Sequence, residues 1–209
     1  MKNKPKINLR YLEAVDITEL DFENDIEYKK ISNCNVNEDI KKVELNACIF
    51  EKVDFSNIKI EKVDLLDCIF NNCDLSNADF SEKLLLRCEF NNCKLMGAKF
   101  VETSIQSVVF NECNMNYSNF NNARIKEVEF KKTDIKDSTM IEINHNNLSF
   151  KECNLESCEF FNTKLKDLDL SCSNIEGIAF NTSDIKGVYI SSYQATLLIK
   201  SFGINIKDE

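Results

Sequence analysis

The chain has 209 residues, of which 26 are basic and 35 acidic, so its formal net charge is −9 at pH 7. Proline occurs once and glycine four times, which leaves no flexible linker between separate domains. An acidic balance disfavours nucleic acid as a ligand, and no apolar run reaches the roughly 18 residues that a membrane helix needs. We therefore expect one domain that binds neither nucleic acid nor membrane. The polar start lacks the apolar stretch of a signal peptide, which predicts a cytoplasmic location.

Residues 1–42 contain an incomplete repeat and are predicted to form irregular capping coils. The fragments at 20–22 and 34–36 resemble the units that follow, but Ile26 and Ile40 share no single phase with them. A repeat protein contacts only its own neighbouring units, so its terminal coils need a cap. An irregular cap is the simplest interpretation of this region.

Residues 43–192 contain thirty consecutive five-residue units in one register. Each unit has an apolar centre at a sequence number that is a multiple of five, with His145 as the exception. Eleven of the fifteen centres at multiples of ten are Phe, whereas the alternate centres are mostly Leu or Ile. Two residues before each centre lies a small or β-branched side chain, at what we call the small inward position. The other three positions are largely polar.

A period of five fits neither a helix, whose apolar residues recur about every 3.6 residues, nor a strand, where every second side chain is apolar. A chain that turns about a quarter circle per unit does fit, because four units close one square coil and each centre then stacks on the fourth centre after it. Nine centres are expected in the core of the middle coils: Phe70, Leu75, Phe80, Phe90, Leu95, Phe100, Phe110, Phe120 and Phe130.

The units resemble the pentapeptide-repeat family, whose motif A(D/N)LXX appears at residues 73–77 and 78–82. The resemblance implies an all-β fold, a right-handed quadrilateral parallel β-helix, here with a short C-terminal α-helix. Parallel strands lie about 4.8 Å apart, so thirty units in 7.5 coils would form a rod roughly 36 Å long.

Residues 193–209 break the repeat and predict a helix followed by a tail. Serine precedes a run of helix-compatible residues and Gly203 follows it, and these are N-cap and C-cap signals. Apolar residues three or four apart give the helix one apolar side, which can cover the open coil or another subunit. Capping alone is one alternative. The residues expected at a dimer interface are Tyr193, Ala195, Leu198, Ile199 and Phe202.

The same stretch is similar to the Qnr quinolone-resistance branch of the family, with its pattern GV.(L/I).SYQA.LL....GI. The matching segments are 187–188, 192–195, 197–198 and 203–204. This resemblance implies an antiparallel homodimer joined through the C-terminal coils, and a DNA mimic that binds DNA gyrase and topoisomerase IV and protects them from fluoroquinolones. The repeat leaves no room for a loop insertion, so the chain looks more like the loop-less Qnr-like proteins of Gram-positive bacteria.

Two residues depart from the repeat. His145 replaces an apolar centre, and we expect a hydrogen-bonded core residue at a local bulge, with Asn144, Asn146 and Asn147 as partners. Lys83 occupies a small inward position. Because burial of an unpaired ammonium group is costly, we expect a local distortion that turns Lys83 to solvent.

Cysteine is unusually frequent, with ten residues, and eight of them occupy small inward positions. A thiol packs there as a small hydrophobe, so these eight are predicted to be buried and reduced. No zinc-type spacing is present. Cys172 lies at an outward position and is the predicted reactive thiol.

Two apolar strips are expected on the outer surface, where they are candidates for contact with a protein partner. One contains Leu66 and Leu86, which are one coil apart. The other contains Val101, Ile141 and Phe161, which are separated by two coils and by one coil.

Motifs for catalysis are missing from the sequence, which has no Walker loop, no dinucleotide-binding glycine pattern and no HExxH. We therefore predict no enzyme and no cofactor. Three hypotheses stay open: a DNA mimic that binds a type II topoisomerase, a structural or protein-interaction scaffold with another partner, and an enzyme or metal protein.

Overall fold

The structure is a computed structural model, and it describes residues 4–56, 58–201, 203–205 and 207. These residues contain a 3-10 helix (Ile17–Glu19), one α-helix, α1 (Ser192–Ser201), and fifteen short β-strands. The strands are β1 (Glu13–Ala14), β2 (Ile26–Glu27), β3 (Lys29–Asn35), β4 (Ile40–Lys41), β5 (Glu44–Asn46), β6 (Ile49–Asp54), β7 (Ile60–Glu61), β8 (Asp64–Leu66), β9 (Ile69–Asn71), β10 (Leu84–Leu86), β11 (Glu89–Asn91), β12 (Ser104–Gln106), β13 (Val109–Asn111), β14 (Arg124–Lys131) and β15 (Asn144–Lys151). No helix in this part of the chain is long and apolar enough to cross a membrane.

The strands form a parallel β-helix in which each strand pairs with strands of the coils above and below. Leu65 pairs with Leu85 and Phe70 with Phe90, so one coil contains four of the five-residue units. Isolated bridges continue the same parallel register on the other two sides, for example between Asp74 and Lys94. The predicted quadrilateral β-helix with a C-terminal helix is confirmed.

Four faces follow from this register, and each is defined by its centres. Face 1 carries the centres 45, 65 and every twentieth residue to 185, and face 2 carries 50, 70 and onward to 190. Face 3 carries 55 to 175 and face 4 carries 60 to 180 in the same steps. The nine centres expected in the core are each no more than 1% exposed.

Stacked phenylalanines fill the core from two opposed faces. Along face 2, from Phe50 to Phe150, neighbouring ring centroids lie 4.8 to 5.1 Å apart and the rings are within 14° of parallel. Across the core the contacts are edge-to-face, as between Phe120 and Phe130, whose centroids are 5.8 Å apart at 89°. Offset stacking and edge-to-face contacts are the favoured geometries of aromatic pairs.

At most corners between faces, the residue two positions after the centre has the left-handed backbone conformation. Twenty-six of the described non-glycine residues have φ between 49° and 65°. This conformation costs a residue with a Cβ roughly 1–2 kcal/mol. The strain is offset because the corner N–H donates to the next coil, as from Asn77 to the Met96 carbonyl at 2.9 Å.

The Asp or Asn of the motif has a local role. One residue before the centre, its Oδ1 accepts the N–H two residues further on, an Asx-turn. Examples are Asp54 with the N–H of Ser56 at 2.8 Å and Asn119 with the N–H of Asn121 at 2.9 Å. The motif therefore stabilises the turn out of the centre rather than presenting a charge.

The N-terminal coil is one residue shorter than the others. Ile31 pairs with Phe50 there, whereas Ile40 pairs with Ile60 as in the main repeat. The first pair is one position closer in sequence than the second, so one residue is missing between Val36 and Ile40. This is why the centres before it are out of phase with the main repeat. Strands β2, β3 and β4 thus continue the β-helix into the region predicted as irregular capping coils.

Candidate interaction surface

Helix α1 begins with a reciprocal capping box that joins it to the last coil. The N–H of Ser191 donates to Gln194 Oε1 at 2.7 Å, and the N–H of Gln194 donates to Ser191 Oγ at 3.3 Å. This S-x-x-Q arrangement satisfies two donors that a helix start would otherwise leave unpaired. The start of the helix is thereby fixed at the predicted serine.

Gln194 also anchors the helix to the coil beneath it. The side chain is only 4% exposed, and its Nε2 donates to the carbonyls of Leu170 at 2.8 Å and Ser173 at 2.6 Å. The carbonyl of Leu170 also accepts the N–H of Ser173 at 3.0 Å, so Gln194 adds a second donor there. Sequence reasoning missed this role, although the S-x-x-Q spacing could have indicated it.

The five residues expected at a dimer interface differ in exposure. Leu198 is 7% exposed and belongs to the core cluster, on the same side of the helix as Gln194. Tyr193 is 73% exposed and Ile199 is exposed as well, while Ala195 is half-buried. Phe202 lies outside the described residues. One side of the helix therefore covers the coil, and the other side faces outward.

The apolar strip of Val101, Ile141 and Phe161 lies directly after the centres of face 4. Phe161 is 37% exposed, while Val101 and Ile141 are half-buried. The carbonyls of Val101 and Phe161 accept corner N–H groups of the preceding coil, from Glu82 at 2.8 Å and Glu142 at 3.0 Å. These hydrogen bonds between coils fix the distances between the side chains of the strip.

An acidic row runs beside this strip, and we call it the acidic corner: Glu82, Glu102 and Glu142. All three are exposed and have left-handed backbones. Glu82 is ion-paired with Lys62 at 3.2 Å, and Glu142 accepts a hydrogen bond from Asn162 at 3.1 Å. The apolar strip and the acidic corner together form one surface with apolar and negative side chains.

The second expected strip differs from its prediction. Leu66 and Leu86 are opposite each other in the register, as expected, but both are half-buried rather than exposed. Side chains directly opposite on paired strands lie about 5 Å apart, so each shields part of the other. Unlike the other strip, which contains Phe161, this strip has no exposed member.

Lys83 is paired rather than turned away to solvent. Its Nζ lies 2.8 Å from Asp64 Oδ2, and both side chains are partly buried. The other oxygen of Asp64 accepts the N–H of Leu84 at 2.7 Å. Because Asp64 supplies the counter-charge, the expected distortion around Lys83 is unnecessary.

All ten cysteines are free, and the eight at small inward positions are buried. Cys68 Sγ donates to the Leu45 carbonyl at 3.1 Å. Burial raises the pKa of the Cys158 thiol to about 12 and that of Cys68 well above its usual range. Cys172 is exposed. No group of three or more metal-ligating side chains occurs among the residues that the structure describes.

His145 is half-buried on face 1, and its ring contacts the next coil. Its Nε2 lies 2.6 Å from the carbonyl oxygen of Lys164. The three asparagines expected as its partners, Asn144, Asn146 and Asn147, are exposed, and the hydrogen bond of the ring goes to Lys164 instead. The predicted partners are therefore wrong, because a carbonyl of the next coil takes their place.

The chain is similar to one known protein family and to several solved structures. The family model for a pentapeptide repeat region matches residues 63–136 and 120–190, which is more than half of the chain. A trypsin-treated variant of QnrB1, a plasmid-mediated fluoroquinolone resistance protein, is 23% identical over 94% of this chain and 98% of its own, with a TM-score of 0.55. Full-length QnrB1 is 23% identical over 92% and 95%, with a TM-score of 0.47.

A more distant similarity is to HetL, a pentapeptide repeat protein involved in heterocyst differentiation regulation in the cyanobacterium Nostoc. It is 14% identical over 80% of this chain and 86% of its own, with a TM-score of 0.43. No curated protein sequence matches significantly. At these identities the structural likeness shows the fold alone.

Proposed function

Because this chain belongs to the pentapeptide-repeat family, we propose that it is a DNA-mimicking protein that binds a type II topoisomerase and protects it from fluoroquinolones. DNA gyrase and topoisomerase IV are the partners that the Qnr-like C-terminal motif favours. The proposal involves binding only, at a cytoplasmic target, with no catalysis by the chain itself.

The observation that carries the proposal is the surface formed by the apolar strip and the acidic corner on a regular rod. A basic groove that binds DNA attracts negative charge at the protein surface in the same way that it attracts phosphates. The chain carries a net charge of −9, and Glu102 and Glu142 stand exposed beside Val101 and Ile141. Negative charge then steers the encounter, and apolar contact strengthens the complex.

Rigidity supports the same proposal. The strip and the corner are fixed by ladder hydrogen bonds such as that from Glu142 to the Phe161 carbonyl at 3.0 Å. A surface that is already ordered loses little conformational entropy on binding. QnrB1, which shares this fold, is described as a fluoroquinolone resistance protein.

A homodimer through the C-terminus is part of the proposal. Tyr193 and Ile199 face outward from α1, and Tyr189, just before the helix, is also exposed. An isologous two-fold contact of these residues would bury apolar surface at the end of each rod. Two rods joined in this way present the same acidic surface twice.

The experiment is a gyrase supercoiling assay in ciprofloxacin, with the purified protein added. We expect the wild-type protein to restore supercoiling at micromolar concentration. The double variant Glu102→Gln with Glu142→Gln removes two charges from the acidic corner, and we expect it to need about three to ten times more protein.

The matched control is Glu112→Gln with Glu152→Gln. These glutamates are also exposed corner residues with left-handed backbones, but they belong to face 2. The control changes the net charge equally, so it should protect like the wild type. If the wild-type protein has no effect on supercoiling with or without drug, the scaffold hypothesis replaces the topoisomerase proposal.

A further inference from the structure

The hydrogen-bond ladder between coils is interrupted below β15. This strand pairs with β14 on one side only. Among the described residues, no main-chain hydrogen bond joins 144–152 to 164–172. The ladder is intact on either side of the interruption, from Glu142 to the Phe161 carbonyl at 3.0 Å and from Leu155 to the Asn174 carbonyl at 2.8 Å. The break therefore affects faces 1 and 2 of one pair of coils.

His145 explains why the coils separate at this point. In the regular coil, the N–H of a centre donates to the carbonyl just before the next stacked centre, as from Leu165 to Asp184 at 2.8 Å. The corresponding acceptor for His145 is the carbonyl of Lys164, and the imidazole Nε2 occupies it at 2.6 Å. The side chain thus replaces the main-chain donor, and the ring bridges β15 and the next coil.

A cleft lies where this ladder is interrupted, with a volume of about 420 Å³. This volume falls within the range of small-molecule sites in proteins. The lining residues are Ile143, Asn144, His145, Asn162, Lys164, Lys166 and Asp167. The lining is therefore mostly polar, with two ammonium groups and one carboxylate.

Four cations lie at or beside the cleft, together with the carboxylates of Asp167 and Glu142, although the protein as a whole is acidic. Lys164 and Lys166 are exposed. One coil earlier on the same face, Arg124 pairs with Asn144 and Lys126 with Asn146. None of these four cations forms an ion pair in the part of the chain that the structure describes. Their charge is available to a ligand.

We propose that this cleft binds the phosphate group of a small phosphorylated molecule. Ammonium and guanidinium groups form strong, charge-assisted hydrogen bonds with phosphate oxygens. The main-chain N–H of His145, which the ladder leaves without a carbonyl at this cleft, adds a neutral donor of the kind found in anion-binding loops. The cleft meets the acidic corner at Glu142, which accepts a hydrogen bond from the cleft residue Asn162 at 3.1 Å. Phosphate binding in the cleft does not depend on the proposed topoisomerase binding.

The test is isothermal titration of the full-length protein with inorganic phosphate and with adenosine monophosphate, and with adenosine as the uncharged comparison. We expect both phosphates to bind saturably and adenosine not to bind. Equal affinity for the two phosphates would assign the site to a free phosphate, and tighter binding of adenosine monophosphate would assign it to a nucleotide. Binding of adenosine as tight as that of its monophosphate would overturn the proposal.

Two sets of variants locate the site. Lys164→Gln with Lys166→Gln should weaken phosphate binding about tenfold or more, because two charge-assisted contacts are lost. The control Lys99→Gln with Lys132→Gln removes two exposed lysines from other faces and should leave the affinity within about twofold. Equal loss in both variants would indicate non-specific attraction and would contradict the site.

A third variant tests the cause of the cleft. His145→Leu restores an aliphatic centre between Ile125 and Leu165, so the ladder should close and phosphate binding should be lost. Amide hydrogen exchange reports on the closure, since the N–H groups of residues 145 and 147 should become protected. Retained binding in a variant with newly protected amides would show that the cleft is not the phosphate site.

Discussion

Individual side chains at the small inward position donate hydrogen bonds that join successive coils. Thr103 Oγ1 donates to the Phe80 carbonyl at 2.7 Å, and Thr163 Oγ1 donates to the Met140 carbonyl at the same distance. Cys88 Sγ makes the equivalent contact with Leu65 at 3.4 Å. Each acceptor is the carbonyl of a centre in the preceding coil. Cysteine therefore serves in this protein as a small, weakly polar core residue.

Thiol labelling tests this role of cysteine. We expect a thiol reagent to modify Cys172 rapidly in the native protein, because this residue is exposed. Cys34 is half-buried and burial raises its pKa, so it should react more slowly. Burial also raises the pKa of Cys158 to about 12, which leaves little thiolate at neutral pH. The eight buried thiols should react only in denaturant.

Cys172→Ser is the control for the labelling experiment. This variant should lose the rapid phase and keep the other phases unchanged. Rapid native labelling of several thiols would contradict the packed core, because the inward side chains would then be open to solvent.

At the scale of elements, helix α1 depends on Gln194. Its side chain is the donor to the carbonyls of Leu170 and Ser173. We expect Gln194→Ala to lower the free energy of unfolding by about 1–3 kcal/mol, since the Ser173 carbonyl loses the donor from Gln194 and the Leu170 carbonyl keeps only the N–H of Ser173. Thermal or chemical denaturation measures the change.

The control on the same helix is Thr196→Ala, an exposed position whose hydroxyl donates to the Tyr193 carbonyl. It should change stability by less than about 0.5 kcal/mol. If Gln194→Ala were equally mild, the capping role of this glutamine would be refuted.

Dimer formation is a second prediction about this element. Ile199 is exposed and Leu198 is buried against the coil. We therefore expect Ile199→Asp to give monomers in sedimentation velocity with an almost unchanged melting temperature, because the charge is placed on the outward side.

Leu198→Asp is a less specific test of the same interface. It buries a charge in the cap and should destabilise the last coil in addition to any effect on assembly. A dimer that persists in the Ile199→Asp variant would contradict the outward side of α1 as the interface.

Much of the fold was predictable from the sequence because each five-residue unit repeats the same pattern of apolar and polar residues. Apolar centres recur every five residues, as from Phe70 to Phe130, and only a four-sided coil can bury all of them on the same side of the chain. The helix start followed from the N-cap signal of a serine before helix-compatible residues.

Features that occur once could not be predicted in the same way. The short coil between Val36 and Ile40 follows from the loss of one residue, which appears in the sequence only as a change of phase. The break below β15 depends on which acceptor the His145 ring selects. The burial of Leu198 depends on how α1 lies on the coil. Each is decided by tertiary packing rather than by the local pattern.

At the scale of the whole molecule, the protein is a stiff acidic rod with a basic cleft on face 1. Net charge of −9 favours attraction to a basic partner, and such attraction weakens as salt screens it. The cations around the cleft, Arg124, Lys126, Lys164 and Lys166, lie on face 1, whereas the acidic corner follows face 4. The charge of this rod is therefore divided between surfaces, and a partner that binds DNA is expected at the acidic one.

Competition with DNA tests DNA mimicry most directly. A fluorescent duplex is bound to DNA gyrase, the protein is added, and anisotropy reports the fraction of duplex still bound. The account predicts displacement of the duplex, with weaker displacement as the salt concentration rises and in the variant Glu102→Gln with Glu142→Gln. A duplex that stays fully bound while the protein also binds gyrase would contradict it.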